Sequence, residues 1–185
     1  MSKDNIYIDY DNRIIYFSDD VWHDTIGKMC ATLLSIIESD DKKDEEQKNY
    51  KREPIKLYIQ SYGGEVYDMW GLIDIIEKSK TPIHTYCTGY AMSAGFKIFL
   101  AGHKKFCTRH ATFMYHQMGC RRSGKYQDLV EDRKEMDFLN KQNEDYVLER
   151  TKMTREYIDE VRQKKKDVYI HADEALKLGI VDEII

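Results

Sequence analysis

Ser93 is the residue whose surroundings in the sequence best suit a chemical role. It lies among small residues, between an apolar run typical of a strand and an apolar run typical of a helix. Gly89 and Gly95 allow a sharp turn and the close approach of other groups. Such a turn exposes the hydroxyl and places the next N–H, that of Ala94, at a helix N-terminus, where donors are unpaired. The pattern suits an acyl-transfer nucleophile, although an ordinary helix start has the same features.

Three further segments carry groups that fit the same chemistry. Gly64 ends the turn Ser61-Tyr62-Gly63-Gly64 just before a predicted helix, so its N–H is a second candidate donor to an oxyanion. His116 ends an apolar strand, where a general base has a rigid stem and an exposed tip. Asp167 precedes another apolar run and is a candidate to hold an imidazole in the required tautomer. Each feature alone is commonplace, and the remaining histidines have no better context: His23, His84, His103, His110 and His171.

The composition indicates a globular protein without nucleic-acid or membrane partners. The 185 residues are 42% hydrophobic and 34% charged, which suffices for one domain with a sizeable core. A net charge of -4 gives no basic footprint for nucleic acid. The first residues lack the apolar core of a signal peptide, and no run is long enough to span a bilayer. The four cysteines lack metal-type spacing, so we expect reduced thiols, no bound metal and a cytoplasmic location.

Strand and helix patterns alternate along the chain and predict an α/β fold with a largely parallel sheet, in a single domain over 1–185. Strands are predicted over 6–8, 13–17, 55–60, 83–88 and 112–115, near 106–107, and over 180–184. Helices are predicted from a cap at 18–20 through residue 37, and over 65–79, 96–101, 126–150, 154–163 and 172–178. The charged segment 38–53 is predicted to be a solvated loop. The helix over 126–150 exceeds what one small core needs, so we expect part of it to pack on another subunit or to project.

Several short motifs occur together, in one order, along nearly the whole chain. They are Gly63-Gly64, Gly89-x-x-x-Ser93-x-Gly95, Met114-x-His116-Gln117 and Asp167-x-Tyr169-x-x-Ala172-x-Glu174-Ala175-x-x-x-Gly179-x-Val181-Asp182. In this order and spacing, the set resembles the proteolytic subunit of the Clp protease, a family of serine peptidases. The resemblance implies the ClpP/crotonase fold, which has repeated ββα units and a long helix that forms a handle between stacked rings. Here the handle is expected over about 117–150.

The resemblance also implies a catalytic role for each candidate residue. Ser93 is implied as the nucleophile, His116 as the general base and acid, and Asp167 as the group that orients the imidazole. The N–H groups of Gly64 and Ala94 are implied as the oxyanion hole. The expected reaction is hydrolysis of peptide bonds in unfolded polypeptides or short peptides, through an acyl-enzyme. The resemblance implies no cofactor and no metal.

Substrate binding and assembly follow from the same resemblance. The strand-like stretch Gln117-Met118-Gly119 is implied to bind extended peptide by backbone pairing, as an added strand. The chain is expected to form a homo-oligomer, a heptameric ring. Whether two rings stack and whether an AAA+ unfoldase docks are left open by the sequence.

The chain departs from the pattern of the family at four places. Tyr62 stands where the family usually has proline, so a less preorganised oxyanion hole is expected. The pair Lys165-Lys166 replaces an acid and an arginine that help couple one ring to the other. Lys56 replaces one of two tyrosines that dock the unfoldase, whereas Tyr58 keeps the other, and only about a dozen residues precede Arg13. We therefore expect weakened or altered coupling to the housekeeping ATPase.

Two other functions remain open at this point. An acyl-CoA hydratase, isomerase or thioesterase of the crotonase type would use the same fold and two backbone donors, but it does not predict Ser93, His116 and Asp167 together. A catalytically silent ring subunit is the second alternative. The intact serine, histidine and aspartate argue against it, although an unformed oxyanion hole would be invisible in the sequence.

Overall fold

The computed structural model describes residues 5–185, which form an α/β fold with two sheets. The strands are β1 (Ile6–Asp9), β2 (Ile14–Phe17), β3 (Ile55–Ile59), β4 (Ile83–Cys87), β5 (Tyr90–Met92), β6 (Lys104–Cys107), β7 (Thr112–Tyr115), β8 (Val168–His171) and β9 (Glu183–Ile184). The helices are α1 (His23–Glu46), α2 (Val66–Lys78), α3 (Ala94–Leu100), α4 (Tyr126–Arg150), α5 (Arg155–Lys164) and α6 (Ala172–Lys177).

The larger sheet has the order β1-β2-β3-β4-β6-β9 and is parallel apart from the β1–β2 pair. The smaller sheet has the order β5-β7-β8, in which β5 and β7 run parallel and β8 runs antiparallel to β7. The predicted α/β class with a mostly parallel sheet is therefore confirmed. Strand β5 was not predicted, because three residues before a turn are too few to give a period-2 pattern.

A single cluster of buried side chains lies between the sheets and helices, and α3 is its centre. Every residue of α3 is buried, and Phe99 packs on Phe113 of β7 with ring centroids 4.9 Å apart. One face of α2 covers the same core, because its apolar residues recur at helical spacing: Met69, Leu72, Ile73 and Ile76. Each such side chain contributes about 1.5 to 3 kcal/mol through burial. This packing fixes the position of α3, which begins directly after Ser93.

Two predictions about the first helix are wrong. The chain does not enter the helix at 18–20, because the N–H of Val21 donates to Gly63 O at 2.8 Å and keeps this residue extended. Helix α1 begins at His23, and the Thr25 hydroxyl accepts a hydrogen bond from the Trp22 N–H. The helix also continues to Glu46, through more than half of the segment predicted to be a loop. The predicted bounds of α4 and α5 agree within one residue, and Thr154 caps α5 by accepting from the Tyr157 N–H. The strand predicted over 180–184 is limited to Glu183–Ile184, and β8 was not predicted.

Asp40 explains why the charged segment is helical. Its carboxylate is buried and accepts two hydrogen bonds from the Arg13 guanidinium, at 3.1 and 2.6 Å. The hydroxyls of Tyr50 and Thr81 each donate to it at 2.8 Å. Burial alone would raise the pKa of this carboxyl, but the combined hydrogen bonds outweigh it and hold the pKa below its ordinary value. A helix whose surface is charged is thus anchored at one buried carboxylate.

We predict that Asp40→Ala lowers the free energy of unfolding by about 3 to 5 kcal/mol, because it leaves the half-buried Arg13 without its anion. Since the pKa of Asp40 is lower in the folded state, its contribution is complete above pH 4 or so and is lost as the pH falls further. Thermal and denaturant unfolding between pH 3 and 7 measure both effects. The control is Asp44→Ala, which removes an exposed partner of Arg52 and should cost less than about 1 kcal/mol. Equal losses in the two variants would contradict the prediction.

Candidate active site

The pairing of β5 with β7 places Ser93 beside His116. Met92 of β5 is in register with Met114 of β7, and the Ser93 N–H donates to Met114 O at 3.0 Å. Because the strands are parallel, the residues that follow them emerge at the same edge of the sheet. The Ser93 Oγ lies 2.7 Å from His116 Nε2. In the tautomer with its proton on Nδ1, the imidazole accepts the hydroxyl proton in this hydrogen bond.

The antiparallel pairing of β7 with β8 brings Asp167 to the same place. Tyr115 is in register with Val168, so the residue before Val168 lies opposite the residue after Tyr115. The distance between His116 Nδ1 and Asp167 Oδ1 is 3.6 Å, which is an ion-pair distance but is too long for a hydrogen bond. The Asp167 side chain is 56% exposed. The structure thus forms the first contact of the predicted triad and leaves the second one open.

Ser93 itself makes the sharp turn between β5 and α3. Its backbone has φ 53° and ψ -116°, a conformation that a residue with a side chain rarely adopts and that costs about 1 to 3 kcal/mol. The sequence suggested that Gly89 and Gly95 make the sharp turn, but neither glycine has a positive φ. Gly95 instead permits close packing, because a Cβ there would lie 2.9 Å from the Ser61 Cβ. Strain at a nucleophile candidate is typical of a functional turn.

The turn before α2 packs against the turn at Ser93. Gly63 has φ 107°, and a Cβ on it would lie 2.7 Å from the Ser93 Cβ and 2.9 Å from the Ala94 nitrogen. Gly64 has φ 147°, and a Cβ there would lie 2.2 Å from the carbonyl oxygen of Val21. Only glycine fits at either position without displacing backbone.

Two backbone N–H groups, where these two turns pack together, have no backbone hydrogen-bond acceptor among the described residues. Val21 bonds to the residues on both sides of Gly64, because its N–H donates to Gly63 O and its carbonyl accepts from the Glu65 N–H, each at 2.8 Å. The Gly64 N–H therefore faces away from Val21. Neither this N–H nor that of Ala94, the first residue of α3, has a backbone acceptor within residues 5–185. Both residues line the pocket that contains Ser93. Two donors without backbone acceptors, on residues that line one pocket with a serine hydroxyl, suit the stabilisation of an oxyanion.

Other contacts restrain the turn that lacks the proline of the family. The Tyr62 ring stacks on Tyr90 of β5, with centroids 4.2 Å apart and planes 27° apart. The Ser61 hydroxyl accepts a hydrogen bond from the Gly63 N–H at 3.1 Å. The Ser61 carbonyl also accepts from the Met92 N–H at 2.9 Å. Stacking and hydrogen bonds therefore hold the turn in place of a fixed proline φ.

A pocket of about 240 Å³ opens beside Ser93, and we call it the serine pocket. Its walls come from α2, α3, α4 and the segment after β7: Gly64, Val66, Met69, Ser93, Ala94, Lys97, His116, Met118, Gly119 and Asn143. Of the predicted peptide-binding stretch, Met118 and Gly119 line the pocket, whereas Gln117 does not. Within residues 5–185, no backbone hydrogen bond occupies the N–H and C=O groups of this stretch. Its binding of peptide remains a prediction.

The surroundings of His116 lower the pKa of its imidazole. Burial is the largest cause, and the positive charge of Lys97 acts in the same direction. The charge of Asp167 opposes both, but less strongly. A lowered pKa keeps the imidazole neutral at physiological pH, which is the form that accepts a proton from a hydroxyl.

Sequence reasoning missed two polar residues of the serine pocket, Lys97 and Asn143. Both are buried. The signal for Lys97 was its place one helical turn after Ser93 inside an otherwise apolar run. No comparable signal marks Asn143, because one amide in a charged helix is not distinctive. No group of three or more metal-ligating side chains occurs within the described range 5–185, and none of its helices could cross a membrane.

Comparisons with known proteins identify the family of the chain. The family model described as Clp protease matches residues 2–185. The chain belongs to the Clp protease family. It is 32% identical over 175 residues to the ATP-dependent Clp protease proteolytic subunit 1 of Prochlorococcus marinus strain MIT 9312, covering 94% of this chain and 84% of that protein. It is 30% identical over 176 residues to the corresponding subunit of Deinococcus radiodurans, covering 94% and 80%.

The fold has a similar counterpart among solved structures. A ClpP1 mutant from Listeria monocytogenes matches with a TM-score of 0.79 and 23% identity, over 95% of this chain and 92% of that one. The expected ClpP fold is confirmed by this match. Membership of the Clp protease family makes the chain a ClpP-like serine peptidase, a hydrolase, as the sequence motifs predicted.

We predict that the rate at which a fluorophosphonate labels Ser93 rises with pH through a midpoint below 6.5 or so, because His116 must be neutral to accept the proton. Lys97→Met removes a charge that lowers the pKa and should move the midpoint up. Asp167→Asn removes the opposing charge and should move it down. Labelling rates between pH 5 and 8, followed by mass spectrometry, measure all three midpoints. Midpoints that stay the same in both variants would contradict this electrostatic interpretation.

Proposed function

We propose that this chain hydrolyses peptide bonds with Ser93 as nucleophile and His116 as general base and acid. The observation that carries the proposal is the 2.7 Å contact between Ser93 Oγ and His116 Nε2, next to the two available N–H groups of Gly64 and Ala94. Nucleophile, base and oxyanion donors are the three groups that acyl transfer from an amide requires.

The reaction proceeds in two stages. His116 takes the Ser93 proton as the oxygen attacks the peptide carbonyl, and the oxyanion accepts hydrogen bonds from the Gly64 and Ala94 N–H groups. The imidazolium then gives the proton to the leaving amine. Water, deprotonated by the same imidazole, attacks the acyl-enzyme and releases the carboxylic acid. The strained backbone at Ser93 holds the hydroxyl in the position that this attack needs.

Asp167 orients the imidazole of His116. A conformational change must first shorten the distance between its carboxylate and His116 Nδ1. A shortening of the contact with Nδ1 from 3.6 Å by about 0.8 Å makes it a charge-assisted hydrogen bond. Catalytic contacts in unliganded sites are often long and tighten with substrate. Asp167 follows the end of α5, where Lys165 adopts a left-handed conformation. Its position therefore depends on a connecting segment rather than on the interior of a strand.

The two alternatives fit the site less well. A crotonase-type enzyme uses the paired N–H groups, but it has no need for a serine in hydrogen-bond contact with an imidazole. A catalytically silent subunit is disfavoured by the same contact and by the close packing at Gly63, which holds the two turns together.

We predict that wild-type protein reacts with a fluorophosphonate at Ser93 and cleaves an unstructured polypeptide, and that Ser93→Ala abolishes both. His116→Ala should lower the labelling rate by at least about a thousandfold, because the hydroxyl loses its base. His84→Ala, at a half-buried histidine away from the pocket, is the matched control and should label normally. Mass spectrometry of the labelled protein measures the reaction. Cleavage that persists in Ser93→Ala would refute the proposal.

We further propose that the chain acts as a single peptidase domain over 1–185, in the cytoplasm, within a heptameric homo-oligomeric ring. Family membership supports assembly, since the relatives are named as subunits. In this proposal Gln117-Met118-Gly119 binds extended substrate by backbone pairing, as its free backbone groups allow. An AAA+ unfoldase would meet the outer face of β3, where Tyr58 stacks on Tyr86 and Lys56 is exposed. The exposed Lys56 supports altered coupling to such a partner.

The handle, residues 117–150, offers a surface for assembly. Its helix α4 has large exposed hydrophobic side chains at Tyr126, Leu129 and Phe138, the last 61% exposed. Such side chains on a long and otherwise charged helix are expected to pack on another subunit.

We predict that Phe138→Glu lowers the mass of the assembly, because it places a charge where an apolar contact forms. Native mass spectrometry and light scattering measure the mass, and circular dichroism checks that the fold is kept. Lys134→Glu, one turn away at an exposed position, is the control and should leave the mass unchanged. An unaltered mass in Phe138→Glu would show that this part of the handle projects freely.

A further inference from the structure

Lys97 is a buried cation that the proposed hydrolysis does not use. It lies in α3, four residues after Ser93, and is 5% exposed. It lines the serine pocket, and its charge acts on His116. Within residues 5–185, no carboxylate forms an ion pair with it. Burial lowers the pKa of its ammonium group to about 8, so the group is still mostly protonated at neutral pH.

Asn143 is a second buried polar group on the same pocket. It projects from α4, is 4% exposed, and its Nδ2 donates to Leu139 O at 2.8 Å. Its Oδ1 is buried without a hydrogen-bond partner among the described residues. Most buried polar atoms in proteins are paired, so a pocket lined by both this oxygen and a lysine without an ion-pair partner in the described range is unusual. Lys97 and Asn143 together indicate that this wall of the pocket binds a polar group of a ligand.

Glu144, the buried carboxylate next to Asn143 in sequence, already has ion-pair partners. Glu144 accepts hydrogen bonds from Arg155 at 2.9 Å and from Arg162 at 3.0 Å. These two arginines compensate its charge, so it is not the partner of Lys97. The remaining walls are apolar side chains that suit an aliphatic stem: Val66, Met69 and Met118.

We propose that Lys97 makes the serine pocket selective for a carboxylate, supplied by a glutamate or aspartate on the acyl side of the scissile bond. This inference rests on the proposed function. A substrate carbonyl between Ser93 Oγ and the donors of Gly64 and Ala94 directs the adjoining side chain into the pocket that these residues line. The stem lies against the apolar walls, and the carboxylate meets the ammonium. Asn143 Oδ1 is an acceptor and fits a proton of the ammonium rather than the carboxylate.

Charge favours this occupant over the others. An apolar side chain would seal the ammonium from water without giving it an anion, and lysine or arginine would be repelled. A glutamine is the closest competitor, because its amide can bond to both polar groups, yet it leaves the charge uncompensated. The comparison of glutamate with glutamine therefore isolates the charge.

The experiment uses the full chain and four otherwise identical fluorogenic peptides with blocked termini, which carry Glu, Asp, Gln or Leu before the cleaved bond. We expect kcat/KM for the Glu or the Asp peptide to exceed that for Gln and Leu by at least about tenfold. Lys97→Met, of similar length but uncharged, should remove this preference and favour Leu, and its cleavage of the Leu peptide shows that the site still reacts. Lys104→Met, at an exposed lysine outside the pocket, should keep the wild-type preference.

A binding measurement separates this inference from the proposed hydrolysis. The same peptides are titrated into Ser93→Ala protein, and the dissociation constants are obtained by fluorescence anisotropy. Tighter binding of the Glu or Asp peptide, lost in Ser93→Ala with Lys97→Met, supports the carboxylate site even if no peptide is cleaved. Equal or tighter binding of Leu or Gln overturns it. Repeating the titration with free C-termini tests the other source of a carboxylate, and a preference found only there also overturns it.

Discussion

The close packing of two strand-to-helix turns is the constraint on which the rest of the site depends. The turn at Gly63 touches the turn at Ser93 so closely that no side chain fits between them. Two hydrogen bonds fasten the same junction, from the Ser61 N–H to Tyr90 O and from the Met92 N–H to Ser61 O. The N–H groups of Gly64 and Ala94, one from each turn, have no backbone acceptor within residues 5–185, and both residues line the serine pocket. A loosened junction would separate the donors from the nucleophile without unfolding the core.

The side chains of the proposed triad depend on sheet register in unequal degrees. Ser93 and His116 follow neighbouring parallel strands, and the interior of the smaller sheet sets their distance. Asp167 is exposed and directly precedes β8, in the short segment that follows the left-handed residue at the end of α5. Its contact with the imidazole is correspondingly longer. In the proposed mechanism, Ser93 and His116 therefore stay in contact, whereas the distance of Asp167 from the imidazole depends on the exposed segment that carries it.

Lys97 and Asp40 show two ways of burying a charge. Asp40 is surrounded by an arginine and two hydroxyls, and its charge stabilises the fold. Lys97 has no such partner within residues 5–185, so its burial is unfavourable until an anion arrives. Unpaired buried charge is rare in proteins because desolvation is expensive. Its presence one turn from the proposed nucleophile, Ser93, is more easily understood through binding than through stability.

The sequence by itself determined the family, the α/β class and most elements, and it predicted the residues of the candidate site, because small residues, a histidine and an aspartate recur at motif spacing. It predicted the helices over 126–150 and 154–163 from local pattern alone. It did not reveal that residues 38–46 are helical, since the reason is a buried contact between Asp40 and the distant Arg13. Nor did it locate the strained residue at Ser93 or bring Lys97 and Asn143 to one pocket. Those features arise from packing between segments far apart in the chain, and only the tertiary structure decides which of many polar residues lose their water.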